Sequence, residues 1–310
     1  MKNMKQHLNY DPLVENAINE QKPLVALEST VITHGLPYPT NVEAARSMEN
    51  AVREGGATPA TVAIIQGQIM IGLGDEQLEY LGQQDAENVR KCSRRDLAIA
   101  VARSENGGTT VAGTMIISKL AGIELFATGG IGGVHRGHPF DVSADLAELA
   151  RTPITVVCSG AKSILDLPLT REVLETNGVP VVGYQTDEMP AFYSRQSGIG
   201  VDARLDNPLQ VAELILAQRA LGLQSAILVT VPVPEDDALD SKIAELAINQ
   251  ATREADEAGI TGPASTPWLL TRVKDLTEGR SLKANISLLK NNARVAGAIA
   301  ASLSEISRNN

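Results

Sequence analysis

The sequence predicts an α/β protein with a mainly parallel sheet and a helical C-terminal third, on three observations. Short runs rich in β-branched and aliphatic residues alternate with stretches of helical periodicity, as parallel strands joined by crossover helices require. Hydrophobic residues make up 43% of the chain but aromatic residues only 3%, which favours strands buried between helices over an antiparallel sandwich. From residue 240 to residue 306 the chain contains helical patterns alone.

Six short apolar runs, bounded by glycine, proline, serine or asparagine, are predicted to be buried strands. They span residues 23–30, 60–67, 123–130, 154–160, 179–186 and 225–232. Helical patterns lie between and after these runs. They span residues 41–55, 109–122, 143–150, 207–222, 240–259, 265–279 and 281–306, and we expect the last three to pack on the sheet.

No internal repeat, low-complexity tract or Gly/Ser-rich linker marks a domain boundary. The sequence therefore predicts a single domain over residues 1–310, with residues 1–20 as an N-terminal extension. Residues 1–12 lack the apolar core of a signal peptide, and no apolar run approaches the length of a membrane span. We therefore expect a cytoplasmic protein with no membrane partner.

The charge and cysteine content exclude several classes of function. A formal net charge of −10 and an isoelectric point near 5.0 argue against a nucleic-acid partner, which would need clustered lysine and arginine. The chain has only two cysteines, Cys92 and Cys158, which are too few for a disulfide framework and lack the spacing of a zinc site. Cys158 is predicted to be a small buried hydrophobic residue.

Ligands of open α/β sheets bind beyond the carboxyl ends of the strands, so polar residues that follow predicted strands are the informative ones. Glu28, the glycine-rich segment 128–133 and Lys162 each follow such a strand. A glycine-rich turn at this place allows the backbone to approach a phosphate. The segment matches neither the dinucleotide fingerprint nor the P-loop, so both of those folds are unsupported.

Lys162 and Glu28 each have two interpretations. A lysine near an apolar sheet edge can be a neutral amine that forms Schiff bases with sugar carbonyls, whereas an ion pair with Asp166 would keep it charged. Glu28 is either a general acid and base or a carboxylate satisfied by local backbone, serine and threonine donors.

Two aspartates and two histidines follow the glycine-rich segment. If a helix begins near Asp141, Asp141 and Asp145 share one helix face, although helix N-termini favour carboxylates in any case. Paired carboxylates suit a partly hydrated Mg²⁺ or Mn²⁺ better than zinc. His135 and His138 flank a glycine in a predicted loop, so a hydrogen bond from His135 to substrate is favoured over metal binding.

The segment KCSRRD, residues 91–96, concentrates cations in an acidic chain. It is interpreted either as a solvated helix start capped by Ser93 or as an anion site. In the anion site, Lys91 supplies a point charge and the helix start at residues 109–111 supplies backbone N–H groups to the same phosphate.

Taken together, these motifs resemble the pseudouridine-5′-phosphate glycosidase family, also described as indigoidine synthase A-like. The motifs occur in the family's order and cover nearly all of residues 25–293. They are VALESTVITHGLPYP, PATVAIIQG, KCSRRDL, GGTTVAGTM, FATGGIGGVHRG, FDVSADL, VVCSGAKSILDLP, VPVVGYQTDEMPAF, STPWLL and SLKANISLLKNNA.

The resemblance implies a three-layer α/β/α enzyme, a homotrimer in the cytoplasm with one divalent metal, commonly Mn²⁺, per subunit. The implied reaction is the reversible cleavage of pseudouridine 5′-phosphate by water to uracil and ribose 5-phosphate, a step of pseudouridine catabolism. The resemblance assigns Glu28 as proton donor, Lys162 as Schiff-base nucleophile and Asp141 as metal ligand. The substrate-binding positions that it implies are Lys91, Val111, Ser143, Ala144 and Asp145, with His135 and Asn285 on the uracil.

The spacer His138-Pro139 between HRG and FD is shorter than in other family members. No kinase region follows the glycosidase-like motifs, so we expect a separate pseudouridine kinase to supply the substrate. One alternative is another sugar-phosphate lyase or transferase that uses the same lysine with a different base. A second alternative is a noncatalytic sensor that binds a phosphorylated nucleoside without turnover.

Overall fold

The central feature of the computed structural model, which describes residues 7–260, 262 and 265–309, is a mainly parallel sheet. Its strands run in the order β1-β4-β3-β2-β7-β10-β14-β12-β13, and β6, paired with β3, carries β5 on its other side. β4 and β6 are antiparallel to β3, whereas the other neighbouring pairs are parallel. The predicted fold class is confirmed.

The strands of this sheet are short, and the central ones are buried. They are β1 (Leu8–Tyr10), β2 (Leu24–Leu27), β3 (Thr58–Ile65), β4 (Gln68–Ile71), β5 (Arg90–Cys92), β6 (Gly107–Thr109), β7 (Leu125–Ala127), β10 (Thr155–Cys158), β12 (Val181–Tyr184), β13 (Ala203–Leu205) and β14 (Ile227–Thr230). The six predicted strands are β2, β3, β7, β10, β12 and β14. β1, from the predicted N-terminal extension, pairs with β4 at the edge of the sheet.

The seven predicted helices are confirmed, with ends that shift by a few residues. The helices are α1 (Pro12–Asn19), α2 (Thr40–Glu54), α3 (Asp75–Gly82), α4 (Arg94–Ala102), α5 (Val111–Ala121), α6 (Ala144–Leu149), α7 (Leu167–Thr176), α8 (Pro208–Ala220), α9 (Ser241–Glu257), α10 (Ser265–Leu276) and α11 (Arg280–Asn309). A π-helical turn spans Val31–Gly35. Among the described residues, no helix is both long and apolar enough to cross a membrane.

Helices cover both faces of the sheet, as its fully buried strands require. On one face α11 packs on β2, β7 and β10 and is flanked by α2 and α8. On the other face α5 packs on β2, β3 and β7, and α4 and α6 pack against α5. The approach of α2 and α11 is close because glycine stands at the contact on both sides, Gly55 just after α2 and Gly297 within α11. A Cβ on Gly55 would lie 2.5 Å from the Arg294 carbonyl oxygen.

A second, three-stranded sheet lies beyond the carboxyl ends of β7 and β10. It has the order β11-β8-β9, made of β8 (Val134–His135), β9 (His138–Val142) and β11 (Leu165–Asp166). β8 follows the glycine-rich segment after β7, and β11 follows the Lys162 segment after β10. This small sheet therefore joins two of the loops in which the sequence placed functional residues.

Candidate active site

Glu28 lies at the carboxyl edge of the sheet, immediately after β2. In register, Leu27 pairs with Ala127 and Ala127 with Val157, so the residues after β2 and β7 lie side by side. The Glu28 side chain is 7% exposed, and its carboxylate accepts hydrogen bonds from the hydroxyls of Thr30 and Thr128. The local donors of the second interpretation are thus present, and they also hold the carboxylate at the ligand-binding edge.

Lys162 follows β10, which lies two strands from β2 along the same edge, with β7 between them. Its N–H donates to the Ile131 carbonyl oxygen at 3.1 Å, and its own carbonyl oxygen accepts from the Leu165 N–H at 3.0 Å. Asp166 caps α7 instead, accepting from the Leu169 N–H at 3.0 Å. Within the described residues Lys162 forms no salt bridge, so the ion-pair alternative with Asp166 is wrong.

Lys91, on the half-buried strand β5, brings the charged residues of the site together. Burial lowers the pKa of its amine, and the positive charge of Lys162 lowers it further, whereas Asp145 and Glu28 act in the opposite direction. Residues from the ends of β2, β5 and β10 and from α6 therefore lie within electrostatic reach of one another.

The Asp145 carboxylate joins two backbone segments of the site. It is 6% exposed and accepts from the Ala112 N–H at 2.9 Å and from the Gly132 N–H at 2.8 Å. Ser143 caps α6, since its hydroxyl accepts from the Asp145 N–H at 3.2 Å. Asp145 thereby fixes the start of α5 against the glycine-rich segment.

The glycine-rich segment is shaped by close packing against protein groups. A Cβ on Gly132 would lie 2.2 Å from the Ser143 hydroxyl oxygen, and one on Gly130 would lie 2.7 Å from the Phe192 ring. The Gly132 N–H is already donated to Asp145. The glycines thus explain how the loop fits here, and that N–H is not free to bind a phosphate.

Only part of the predicted phosphate site at the start of α5 is available. The Thr109 N–H donates to the Ser29 hydroxyl at 2.9 Å, and the Thr110 N–H donates to the Cys92 carbonyl oxygen at 3.0 Å. The expectation that the helix start at residues 109–111 supplies its N–H groups to a phosphate is therefore wrong for Thr109 and Thr110. Among the described residues, the Val111 N–H has no hydrogen-bond partner, so it is the donor that remains.

Asp141 and Asp145 do not share a helix face. The helix begins at Ala144 because Ser143 caps it, and Asp141 lies three residues earlier in the exposed strand β9. The described residues contain no group of three or more His, Cys, Asp or Glu side chains suited to a metal. Asp141 can therefore supply one carboxylate to an ion that keeps most of its water, a pattern that Mg²⁺ and Mn²⁺ tolerate.

The two residues assigned to uracil are both half-buried. His135 lies in β8, opposite Leu165 of β11 and His138 of β9. Asn285 lies in the first turns of α11, whose Leu288 and Leu289 pack near Gly129. Both residues thus belong to elements that contact the loops around Glu28 and Lys162.

Sequence reasoning missed His34 and Asn292. His34 lies in the π-helical turn, a feature found often at functional sites. Burial, and then the positive charge of Lys91, lower the pKa of its imidazole. The fully buried amide of Asn292 donates to the Thr128 carbonyl oxygen at 2.9 Å and to the Ser159 hydroxyl at 3.1 Å. The signal that could have identified Asn292 is a polar residue on the apolar face of the predicted helix.

Ser93 is the N-cap residue of α4, and Cys158 is the small buried hydrophobic residue that the sequence predicts. Ser93 precedes α4, and both its N–H and its hydroxyl donate to Asp96 at 3.1 Å. Cys158 is fully buried in β10, where burial raises the pKa of its thiol to about 12, so it is not a reactive thiolate at neutral pH.

Comparisons with known proteins agree over nearly the whole chain. The family model described as indigoidine synthase A like protein matches residues 13–302. The pseudouridine-5′-phosphate glycosidase of Caldanaerobacter subterraneus subsp. tengcongensis is 53% identical, covering 98% of this chain and 99% of the relative. The pseudouridine-5′-phosphate glycosidase of Escherichia coli K12 is 52% identical, covering 94% of each.

Solved structures share the fold. The prealnumycin C-glycosynthase AlnA, solved in complex with ribulose 5-phosphate, superposes with a TM-score of 0.90 at 41% identity, covering 98% of this chain and 99% of that one. An indigoidine synthase A-like protein from Thermotoga maritima superposes with a TM-score of 0.87 at 37% identity, covering 96% of each chain.

Proposed function

Because the chain belongs to the indigoidine synthase A-like family, we propose that it is a pseudouridine-5′-phosphate glycosidase. It cleaves the carbon–carbon glycosidic bond of pseudouridine 5′-phosphate with water to give uracil and ribose 5-phosphate, reversibly. The observation that carries the proposal is the arrangement of Glu28, Lys162 and Lys91 at one edge of the sheet, where α/β proteins bind ligands. Relatives of that name, matched end to end, support it.

The substrate's bond determines which groups the site needs. Pseudouridine joins ribose C1′ to uracil C5, so no leaving oxygen or nitrogen can be protonated, and the two-carboxylate glycosidase mechanism does not apply. A nucleophile that stabilises C1′ as an imine solves this problem, because the nitrogen lone pair can expel a carbon leaving group.

Lys162 is the proposed nucleophile. Its neutral amine attacks C1′ and the C1′–O4′ bond breaks, which opens the ribose ring while O4′ takes up the proton that the amine loses. The nitrogen lone pair then forms the C1′=N bond as the C1′–C5 bond breaks. Water adds to the resulting imine and releases ribose 5-phosphate, which regenerates the amine.

Glu28 is the proposed proton donor to uracil C5. The hydroxyls of Thr30 and Thr128 fix its carboxyl group, so the acid is positioned before the substrate arrives. Loss of this proton leaves Glu28 as a base that can assist water in hydrolysing the imine. His135 and Asn285 are proposed to hold the uracil ring during protonation.

The 5′-phosphate anchors the end of the substrate that does not react. We assign it to Lys91, the Val111 N–H and the start of α6, where the Ser143 hydroxyl and the Ala144 N–H contribute. The N–H groups of Ser143 and Asp145 are donated to the Gly133 carbonyl oxygen and the Ser143 hydroxyl, so these two backbone groups position the helix start. Binding energy from this remote group aids positioning at C1′. The Asp145 carboxylate does not contact the phosphate itself, because its two oxygens accept hydrogen bonds from the N–H groups of Ala112 and Gly132.

A divalent ion and a trimer complete the proposal. Asp141 would hold Mn²⁺, one per subunit with water as the other ligands, and the ion would supply positive charge near the phosphate. The family resemblance supports a homotrimer, and light scattering coupled to size-exclusion chromatography measures it directly.

The experiment that tests the proposed function is chromatography of the uracil released from pseudouridine 5′-phosphate. It is run with Mn²⁺ and with a chelator, and unphosphorylated pseudouridine is the control. We expect metal-dependent release from the phosphate alone. No release from a folded, metal-loaded sample would contradict the proposal.

A second candidate is a sugar-phosphate C-glycosidase or C-glycosynthase that joins or cleaves a different aromatic base. It is favoured by the likeness to AlnA, which is named a C-glycosynthase and was solved with ribulose 5-phosphate. A panel of bases incubated with ribose 5-phosphate separates the two candidates, since the first predicts product with uracil and the second with another base.

A further inference from the structure

Arg136, in the turn between β8 and β9, is part of the HRG motif, and no step of the proposed reaction uses it. Its guanidinium contacts the segment that follows Lys162. Nη2 donates to the Ser163 carbonyl oxygen at 2.9 Å, and Nε donates to the Leu165 carbonyl oxygen at 3.1 Å. Nη1 donates to the Asn249 side-chain oxygen of α9 at 3.0 Å.

The contacted segment is a tight turn that begins at Lys162. The Leu165 N–H donates to the Lys162 carbonyl oxygen at 3.0 Å, the i to i+3 hydrogen bond of a β-turn. Arg136 therefore contacts the carbonyl groups of the second and fourth residues of the turn whose first residue is the proposed nucleophile. The guanidinium therefore fixes the orientation of these two carbonyl groups.

The same arginine also links Lys162 to the proposed uracil site. Its chain neighbour His135 pairs with Leu165 in the antiparallel β8-β11 ladder. One guanidinium and one pair of strands thus fix the distance between the backbone of His135 and that of Lys162. In the proposed reaction these residues act on the two sides of the bond that breaks.

The energetic cost of this arrangement argues for a specific role. Burial lowers the pKa of the Arg136 guanidinium, and the negative charges of Glu245 and Asp166 oppose this only in part. All three of its hydrogen-bond acceptors are neutral oxygens. A planar guanidinium reaches two carbonyl groups at fixed spacing, which a lysine ammonium does not.

We propose that Arg136 is a positioning residue, which holds the Lys162 turn so that the amine meets C1′ while uracil is held at His135. The inference rests on the proposed function of Lys162 as the nucleophile. It predicts that loss of the guanidinium slows imine formation while leaving the phosphate contacts, and thus substrate binding, nearly intact.

The test compares Arg136→Gln and Arg136→Lys with the wild type. For each protein the kcat and KM of uracil release are measured, as is the rate at which borohydride traps ribose 5-phosphate on Lys162. We expect kcat and trapping rate of Arg136→Gln to fall about 10- to 100-fold, with KM within about threefold, because small misplacements of a nucleophile have effects of this size. Arg136→Lys should recover little of the loss.

The matched control is Arg308→Gln. Arg308 also donates to a backbone carbonyl oxygen, that of Gln21, but at the opposite edge of the sheet, before β2. Its kcat should stay within about twofold of the wild type, since surface substitutions away from a site have small effects. A third variant, Arg136→Ala, removes the whole side chain beyond Cβ. Added methylguanidinium should partly restore its trapping rate and leave the trapping rate of Arg308→Gln unchanged.

Several results would overturn the inference. One is a folded Arg136→Gln protein that traps ribose 5-phosphate at the wild-type rate. Another is loss of the folded state, by circular dichroism, in all the Arg136 variants, which would make the arginine a requirement of folding alone. If wild type traps the sugar phosphate but releases no uracil, the proposed function fails, and the trapping rates still decide the role of Arg136.

Discussion

The hydroxyl of Thr128 donates a hydrogen bond to Oε1 of Glu28, which joins the side chains that follow two neighbouring strands. The two residues are 100 positions apart in the chain, yet the parallel register of β2 and β7 places them side by side. A carboxyl group held in this way has one orientation toward a substrate at the sheet edge.

Replacing Thr128 with valine should therefore lower kcat without unfolding the protein. We expect kcat to fall about tenfold, because the variant loses part of the rate enhancement that a positioned acid or base contributes. Thr128→Ser keeps a hydroxyl and should retain most of the activity. Glu28→Gln should lose far more, because it removes the proton donor itself. A Thr128→Val protein with unchanged kcat would show that this hydroxyl does not position the acid.

The affinity for substrate should fall as the pH rises. The fall should begin at a lower pH than the one at which an ordinary lysine loses its charge. Burial, and then the charge of Lys162, lower the pKa of Lys91, so its amine loses its positive charge as pH rises through this lowered value. KM should therefore begin to rise at a pH below the ordinary lysine pKa of about 10.4, at which a free lysine is still mostly charged.

Lys91→Arg is the matched variant for this prediction, because arginine stays charged across the whole range. Its KM should be nearly independent of pH, even if it is higher throughout. An equal rise of KM in Lys91→Arg and wild type would assign the titration to another group.

The glycine at position 132 is required by the groups packed against it. A Cβ there would lie 2.2 Å from the Ser143 hydroxyl oxygen and 2.8 Å from Asp145 Oδ2. Gly132→Ala should displace Asp145, lower kcat/KM by at least about tenfold and reduce stability by about 1–3 kcal/mol.

Gly200→Ala is the control for crowding, since its Cβ would meet nothing within 4 Å. Both variants are compared by uracil release and by thermal unfolding. Equal behaviour of the two would mean that Gly132 is not a packing requirement of the site.

Asn292 should be a structural requirement of the two central loops. Asn292→Leu leaves the buried carbonyl oxygen of Thr128 without this donor, so we expect a loss of about 2 kcal/mol in the free energy of unfolding. Asn291→Leu, next in the chain and half-buried, removes only a long hydrogen bond of 3.4 Å to the Pro232 carbonyl oxygen, so it should change stability by about 0.5 kcal/mol. Urea unfolding of both variants distinguishes them, and similar values would contradict this role.

The sequence predicted the parts of the fold that depend on local pattern. The six buried runs became strands because their apolar residues face helices on both sides, and the long helices followed from their periodicity. Strands such as β9 and β13 were missed since most of their residues are exposed and show no alternation of polar and apolar residues. The condition under which Asp141 and Asp145 would share a helix face, a helix start near Asp141, is not met because Ser143 is the cap.

The site could be predicted only as far as strand ends indicate it. Glu28 and Lys162 were located because both follow buried strands, but the contacts that hold them come from distant parts of the chain. Asn292 reaches Thr128 across 164 positions, and Arg136 reaches the Ser163 carbonyl group across 27. Contacts of this kind depend on tertiary packing, which one sequence does not reveal.

The central claim, that Lys162 forms an imine with the sugar phosphate, is tested most directly by mass spectrometry. The protein is incubated with ribose 5-phosphate and borohydride, digested, and searched for the reduced adduct, with Lys162→Ala as the control. We predict a single adduct on Lys162 in the wild type and none in the variant. A fully active wild type with no adduct, or an adduct that persists in Lys162→Ala, would contradict the account.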